Sequence, residues 1–303
     1  MKNKRVGVLM GGLSAERPIS LKSGKAVLAA LKARGYDAVA VDVGRDLPAK
    51  LSGVDVAWIA LHGQYGEDGC VQGLLEVMGI PYTGSGPAAS AAAMDKITTK
   101  RLLGRTDIPL PGDEVWRAGD PVPQHVALPV VAKFPEGGST LGLHIVKEAG
   151  QLEAALQDLA GLGNEVLLEQ FIAGDEITCA VLDGEALPVV GIVPDEGFFD
   201  FEAKYTEGTT RYEVPAITVS PDVQERARRY AATAYTTLGL SGIARADFIV
   251  DEQGTPWFLE INTIPGMTAT SLSPMAASCV GLSFEDLVER LLLNATLHLT
   301  PGA

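Results

Sequence analysis

At 303 residues, with 47% hydrophobic and 20% charged side chains, the chain is long enough for about two domains of ~150 residues and too apolar to be disordered. Its 24 Lys and Arg against 38 Asp and Glu leave a formal charge of −14, which disfavours general binding to nucleic acid or anionic lipid. No apolar run approaches the ~18–20 residues of a membrane helix. In chain order, residues 6–10 read as a short apolar strand, too short for a signal peptide and followed by Glu16 and Arg17 where a cleavage site would fall. Residues 19–34 carry Val27, Leu28 and Leu31 at helical spacing and stop at Gly35, and 38–43 and 54–61 are strands again. This βαβ order predicts a parallel sheet, with function at the carboxyl ends of its strands. From about residue 95 a helix, strands at 129–134 and 165–169 and a helix around 152–159 are expected. From 171 come strands at 176–182 and 187–193, a polar loop over 194–215, a helix at 222–238, a β-hairpin at 243–262 and a last helix at 284–297. A loop of that length in a compact domain is usually a functional lid or a disordered segment. The three cysteines, Cys70, Cys179 and Cys279, are far apart and lack C-x-x-C spacing. They predict small buried hydrophobes in a reducing cytoplasm rather than disulfides or a zinc site.

The hairpin is the informative piece. Side chains alternate along a strand, so Arg245, Asp247 and Ile249 share one face while Ala244, Ala246, Phe248 and Val250 share the other. On the return strand Trp257, Leu259 and Ile261 form the expected apolar set, which leaves Glu260 and Asn262 opposite. If both apolar sets face one core, Arg245, Asp247, Glu260 and Asn262 meet on the other side. Hard oxygens beside an arginine suit a Mg²⁺–phosphate site, and a solvated strand face fits the same pattern. Next comes a turn in which Gly266 could bring a backbone N–H to an oxyanion.

Residues 260–267, EINTIPGM, resemble a signature of the ATP-grasp enzymes, and more narrowly of the D-alanine:D-alanine ligase family. The resemblance runs along essentially the whole chain, through GGLSAER at 11–17, LHGQYGEDG at 61–69, PYTGS at 81–85, MDK at 94–96 and SL at 271–272. It implies an α/β protein with a Rossmann-like parallel-sheet lobe at 1–94, followed by a two-lobe ATP-grasp fold. The central lobe would span 95–172 and the catalytic lobe 173–303, with a lid loop at about 194–215.

Read singly, most of these residues are ordinary: Glu16 is a carboxylate at a helix start, His62 a core histidine, Lys96 and Lys133 two surface lysines, and Glu176 an exposed strand acid. The resemblance implies more. Glu16 would hold the ammonium of the first D-alanine, and His62 would lie near its carboxylate, in binding or proton handling. Lys96 and Lys133 would contact nucleotide phosphates, Glu169, Gln170, Phe171 and Ile172 the adenine edge, and Glu176 the ribose. Ser139, in the Gly-rich loop 137–142, and Tyr205 would close the site against Glu16, with Lys204 toward the β and γ phosphates. Asp247, Glu260 and Asn262 would hold two Mg²⁺ ions, Mn²⁺ also suiting; Arg245 and Gly266 would stabilise the oxyanion, and Ser271 and Leu272 would hold the second carboxylate. The sequence departs from the usual family pattern at Phe134, Pro135 and Gly137.

The implied reaction joins two D-alanines at the expense of ATP, in a cytoplasmic homodimer that engages neither nucleic acid nor membrane. The competing expectations are a D-alanine:D-lactate (or other D-amino acid) ligase and an ATP-binding regulator that has lost ligation. Tyr205 favours the dipeptide product, since depsipeptide ligases of the family tend to carry phenylalanine there. A dinucleotide-binding oxidoreductase is disfavoured, because Gly11 and Gly12 are not followed by G-x-G-x-x-G spacing.

Overall fold

The computed structural model describes residues 1–137, 142–194 and 210–299. Ser139, Lys204 and Tyr205 lie outside the described residues, as does most of the expected lid. The first strand β1 (Arg5–Gly11) leads through helix α1 (Arg17–Ala33) to β2 (Asp37–Val43), and after the short α2 (Leu47–Lys50) to β3 (Val56–Ile59). The pairing is parallel in the order β2-β1-β3, as expected. Val6, Val8 and Val56 are fully buried, the composition a parallel strand covered on both faces demands. Helix α1 has a proline in its first turn, where the missing N–H has no partner to lose. It ends where Gly35 takes a φ of +77°, letting the Tyr36 N–H reach the Leu31 carbonyl. Helices α3 (Cys70–Met78), α4 (Pro87–Met94) and α5 (Lys96–Leu103) follow. The last is capped by Asp95, whose carboxylate accepts the Ile97 and Thr98 N–H groups.

Strands β4 (Asp113–Arg117), β5 (Val130–Lys133), β6 (Leu143–Val146) and β7 (Glu165–Gln170) form an antiparallel sheet in the order β4-β7-β5-β6. Helix α6 (Ala149–Ala160) packs Leu152, Leu156 and Leu159 into the same apolar cluster as Val130 and Val166. Strands β8 (Asp175–Leu182), β9 (Glu185–Ala186), β10 (Val190–Pro194), β11 (Thr210–Glu213), β12 (Ile243–Val250) and β13 (Pro256–Asn262) build the third sheet. Its path is β11-β10-β8-β12-β13, with β9 alongside β8. Helix α7 (Pro221–Thr237) covers one face, while α8 (Leu272–Cys279) and α9 (Phe284–Leu293) pack toward the first sheet. Val8 and Trp58 of the first sheet share one hydrophobic cluster with Leu182, Ile243 and Leu287.

Several expectations are corrected. Residues 210–213 of the anticipated loop are strand β11, paired with β10. The last helix ends at Leu293, not 297, because Thr296 pairs through its backbone with Tyr82. Strands β4 and β6 went unanticipated. Of the three cysteines only Cys179 is buried; Cys70 and Cys279 are exposed.

The hairpin register shifts between Asp247 and Phe248: Asp247 faces Glu260, but Phe248 faces Phe258. Leu259 is therefore the extra residue of a β-bulge, which resets the alternation. Phe258 is 1% exposed and packs edge-on against Phe248 at 5.7 Å between ring centroids, whereas Trp257 is half-buried on the other face and donates to Asp251. The expectation that Trp257 joins the core is thus wrong; the bulge puts Phe258 there and still leaves Glu260 and Asn262 opposite. Accordingly Phe258→Ala should destabilise the protein by ~3–5 kcal/mol in urea unfolding, the cost of emptying a core aromatic site. Trp257→Ala should cost clearly less, and the reverse order would refute the bulged register.

Candidate active site

The quartet expected from the hairpin is assembled. Arg245 pairs across the ladder with Asn262, and Asp247 with Glu260. Arg245 donates from Nε and Nη2 to the two oxygens of Asp247 at 2.9 and 2.8 Å, Asn262 Nδ2 donates to Asp247 Oδ2 at 3.2 Å, and Thr178 Oγ1 donates to Oδ1 at 2.5 Å. A carboxylate this buried is tolerable only with such saturation. Burial works against the Arg245 charge, but Asp247, Glu260 and Glu176 outweigh it and push the pKa up, so the guanidinium stays charged.

These side chains line a cleft of ≈ 230 Å³ together with Glu16, His62, Glu67, Glu176, Gly266 and Leu272. Glu16 arrives from the loop before α1; its Oε2 sits so close above Gly63 that a Cβ there would lie 2.4 Å away, and Gly63 also holds a φ of +68°. Burial raises the Glu16 pKa, Glu260 adds to the rise, and Lys96 opposes it. His62 follows β3, and burial pushes its imidazole down to about 4. Glu67, in the same turn, is driven by burial up to about 8, although its carboxyl accepts the Gly63 N–H at 2.8 Å and the Ile264 N–H at 3.2 Å. Ser271 precedes the first residue of α8, and its Oγ accepts the Thr268 N–H at 3.1 Å rather than an N–H of the helix, beside Gly266.

Lys96 opens α5 and spans three segments: its Nζ is 3.0 Å from Glu260 Oε2 and donates to the Gly137 carbonyl at 2.7 Å. Lys133 ends β5 and is paired with Glu169 at 2.5 Å; Lys100 grips the other oxygen of Glu169 at 2.6 Å, with Asp113 at 3.2 Å. The Glu169 side chain therefore lies between two buried lysines. Burial alone would raise its pKa, but the lysines outweigh it and hold the carboxyl below the usual range. Gln170 gives its N–H to the Gly112 carbonyl, and Phe171 and Ile172 follow as half-buried residues just beyond β7. Among the described residues no three His, Cys, Asp or Glu side chains converge as a metal cluster. The expected set has an amide as its third donor; two carboxylates and an amide oxygen on adjacent strands fit a hard divalent ion.

Glu67 lines the cleft, and Lys100, Thr178 and Ser23 bond to the candidate residues Glu169, Asp247 and His62; no role was read for these four from the sequence. Spacing held the signal: Lys100 follows Lys96 by four helical residues, Thr178 follows Glu176 by two strand residues, and Ser23 follows Glu16 by seven, two turns along α1.

Removing one of two cations from a buried carboxylate is costly. Lys100→Met should lose ~3–5 kcal/mol at pH 7 in urea unfolding. Because the depressed Glu169 pKa contributes stability above its unfolded value that is lost as pH falls through the folded value, the gap from wild type should narrow in acid. For His62 the depressed value means the unfolded chain takes up the proton first, so stability should fall between pH 6.5 and about 4. His62→Gln should remove about 3 kcal/mol of that decline, and an unchanged pH slope would disprove a neutral buried ring.

Two family models match the chain: "D-ala D-ala ligase C-terminus" over residues 113–293 and "D-ala D-ala ligase N-terminus" over residues 44–85. The D-alanine–D-alanine ligase of Geobacter sulfurreducens is 49% identical over 99% of this chain and 96% of its own, and that of Desulforudis audaxviator 50% over 95% and 97%. Among solved structures, the D-alanine–D-alanine ligase of Bacillus anthracis complexed with ATP superposes with a TM-score of 0.85 at 35% identity, covering 96% of both chains. The α/β architecture expected above, with its ATP-grasp lobes, is the one these proteins share. On this evidence the chain belongs to the D-alanine–D-alanine ligase family.

Proposed function

We propose that this protein is an ATP-dependent ligase that joins two D-alanine molecules into D-alanyl-D-alanine, a carbon–nitrogen bond-forming step that supplies peptidoglycan precursors. The observation that carries this reading is the convergence of Glu16 and His62 from the first lobe on Arg245, Asp247, Glu260 and Asn262 from the third, around one cleft. The γ-phosphoryl group of ATP passes to the carboxylate of one D-alanine, giving D-alanyl phosphate and ADP. The amine of a second D-alanine attacks the acyl carbon, and phosphate leaves with the bonding electrons as the new amide loses a proton.

Glu16 holds the first ammonium, and His62 stands by the first carboxyl group. Lys96 and Lys133 bind phosphate oxygens, with Lys204 joining them from the lid. Ser139 and Tyr205 close over the substrates to keep water from the acyl phosphate. Glu169, Gln170, Phe171 and Ile172 border the adenine, and Glu176 the ribose. Asp247 takes the Nε–Nη2 edge of Arg245, which fixes the guanidinium so that its Nη1 donors, with the Gly266 N–H, can serve the oxyanion. Ser271 and the Leu272 N–H at the start of α8 hold the second carboxylate. Asp247, Glu260 and Asn262 would hold Mg²⁺, two ions with Mn²⁺ as a substitute, which supplies charge neutralisation on the phosphates. Much of the rate comes from positioning two small molecules in a dry cleft.

We assign the lobes to 1–94, 95–172 and 173–303, supported by one sheet falling within each range. Cytoplasmic location and a homodimer complete the reading; the described residues contain no helix long and apolar enough to cross a membrane.

The deciding experiment measures ADP and phosphate release with MgATP and no amino acid, L-alanine, D-alanine, or D-alanine plus D-lactate. D-alanine-dependent release with dipeptide as product is expected; depsipeptide would move the acceptor to D-lactate, and ATP binding without release would favour the regulator. Glu260→Gln should lower kcat by roughly 100-fold or more and raise the Mg²⁺ concentration needed for half-maximal rate. Wild-type Mg²⁺ dependence in this variant would remove Glu260 from the metal set.

A further inference from the structure

His62 is 7% exposed and borders the cleft, with its Nε2 3.2 Å from Ser23 Oγ. Ser23, 1% exposed on α1, also accepts the Met267 N–H at 3.2 Å. One serine of the first lobe therefore touches both a ring nitrogen at the cleft and the backbone of the loop that follows β13. That loop is anchored a second time where Glu67 accepts the Ile264 N–H, and the Ile264 backbone also interacts with the His62 ring.

Counting protons fixes the direction of the contact. A backbone N–H can only donate, so Met267 occupies a lone pair of Ser23 Oγ. The hydroxyl proton of Ser23 then requires an acceptor, because a buried donor left unpaired is strongly disfavoured. Among the described residues the acceptor in hydrogen-bond reach of Ser23 Oγ is His62 Nε2. A ring that accepts at Nε2 and carries no net charge has its proton on Nδ1.

We infer that Ser23 is a positioning residue that holds His62 as the neutral Nδ1–H tautomer and ties that ring to the Met267 amide, fixing the loop that carries Gly266. This deepens the ligase reading and rests on it for its kinetic consequence. With Nε2 already receiving the serine proton, the ring has no free lone pair with which to take a proton from a substrate ammonium. Of the two roles open to His62, binding and proton handling, the geometry supports placement. Ser23 touches no reacting atom in this scheme; it acts through His62 and through the backbone beside Gly266.

The test is ¹⁵N spectroscopy of histidine-labelled protein at neutral pH, with His62 assigned by the loss of its signals in His62→Gln. The wild-type ring should show a protonated Nδ1 and an unprotonated, hydrogen-bonded Nε2. In Ser23→Ala the Nε2 resonance should move toward that of a nitrogen without a donor, and Ser23→Thr, which keeps the hydroxyl, should return it. In parallel, Ser23→Ala should lower kcat/KM for D-alanine about tenfold while the KM for ATP changes less than about twofold, the scale of one lost hydrogen bond at the amino-acid end of the cleft. A wild-type ring protonated at Nε2, or a Ser23→Ala protein with an unaltered His62 spectrum, would overturn the inference even if the variant were unstable or slow. Absence of D-alanine-dependent ADP release in wild type would instead defeat the ligase reading, while the expected spectrum would still uphold the Ser23–His62 pairing.

Discussion

The buried carboxylate of Asp247 is the constraint around which the cleft is organised. An ionised group held away from water must be given charge and hydrogen bonds from the protein, and Arg245, Thr178 and Asn262 supply them from two adjacent strands. Those strands cannot slide by one residue without turning every one of these side chains into the apolar layer against α7. The register of β8, β12 and β13 and the chemistry of the cleft are thus one requirement. The bulge at Leu259 belongs to it: Phe258 enters the core while Glu260 keeps its place opposite Asp247.

The same physics recurs at the central sheet, where Glu169 lies between Lys133 and Lys100. A single lysine would leave the carboxylate with one partner, to be lost whenever that lysine turned toward a phosphate. With two, one ammonium can stay on Glu169 if, as proposed, Lys133 turns to a nucleotide phosphate. Lys96 has a comparable position between Glu260 and the Gly137 carbonyl, so it links the third sheet to the segment that follows β5. Each network joins segments distant in sequence, so a substitution there would disturb the packing of more than one element.

Much of this was legible in the sequence because it depends on period. The two-residue alternation of β12 brought Arg245 and Asp247 to one face, and the apolar spacing of α1 gave its ends to within two residues. The bulge was not legible: an extra residue in a ladder changes no local propensity, and Trp257 looks as apolar as Phe258. Strand β4 carries Asp113, Glu114 and Arg117 at a sheet edge, and β6 has only four residues after a glycine-rich loop, so neither shows a buried alternation. Lys100 reads as a surface lysine because burial of a charge is decided by its partners, and Glu169 and Asp113 come from other elements. The separate motifs singled out the candidate residues; the pairings among them required the fold.

The acidic balance of the chain and its proposed polyanionic substrate are reconciled by distance. At physiological ionic strength the field of a surface charge is screened over about 8 Å, so the overall charge of −14 acts mainly on large polyanions that must lie along the surface. On the proposed reading ATP would meet Lys96, Lys133 and Arg245 at close range, where each cation is already held in place by a carboxylate. Those carboxylates restrain the cations and prevent a bare positive cavity, which would bind any anion that entered. In the proposed complex selectivity would follow from geometry: a ligand must satisfy the lysines and the guanidinium where they already stand, and it must leave Glu16 a cation to hold. A nucleotide with an amino acid beside it would meet that demand, and an inorganic anion alone would not.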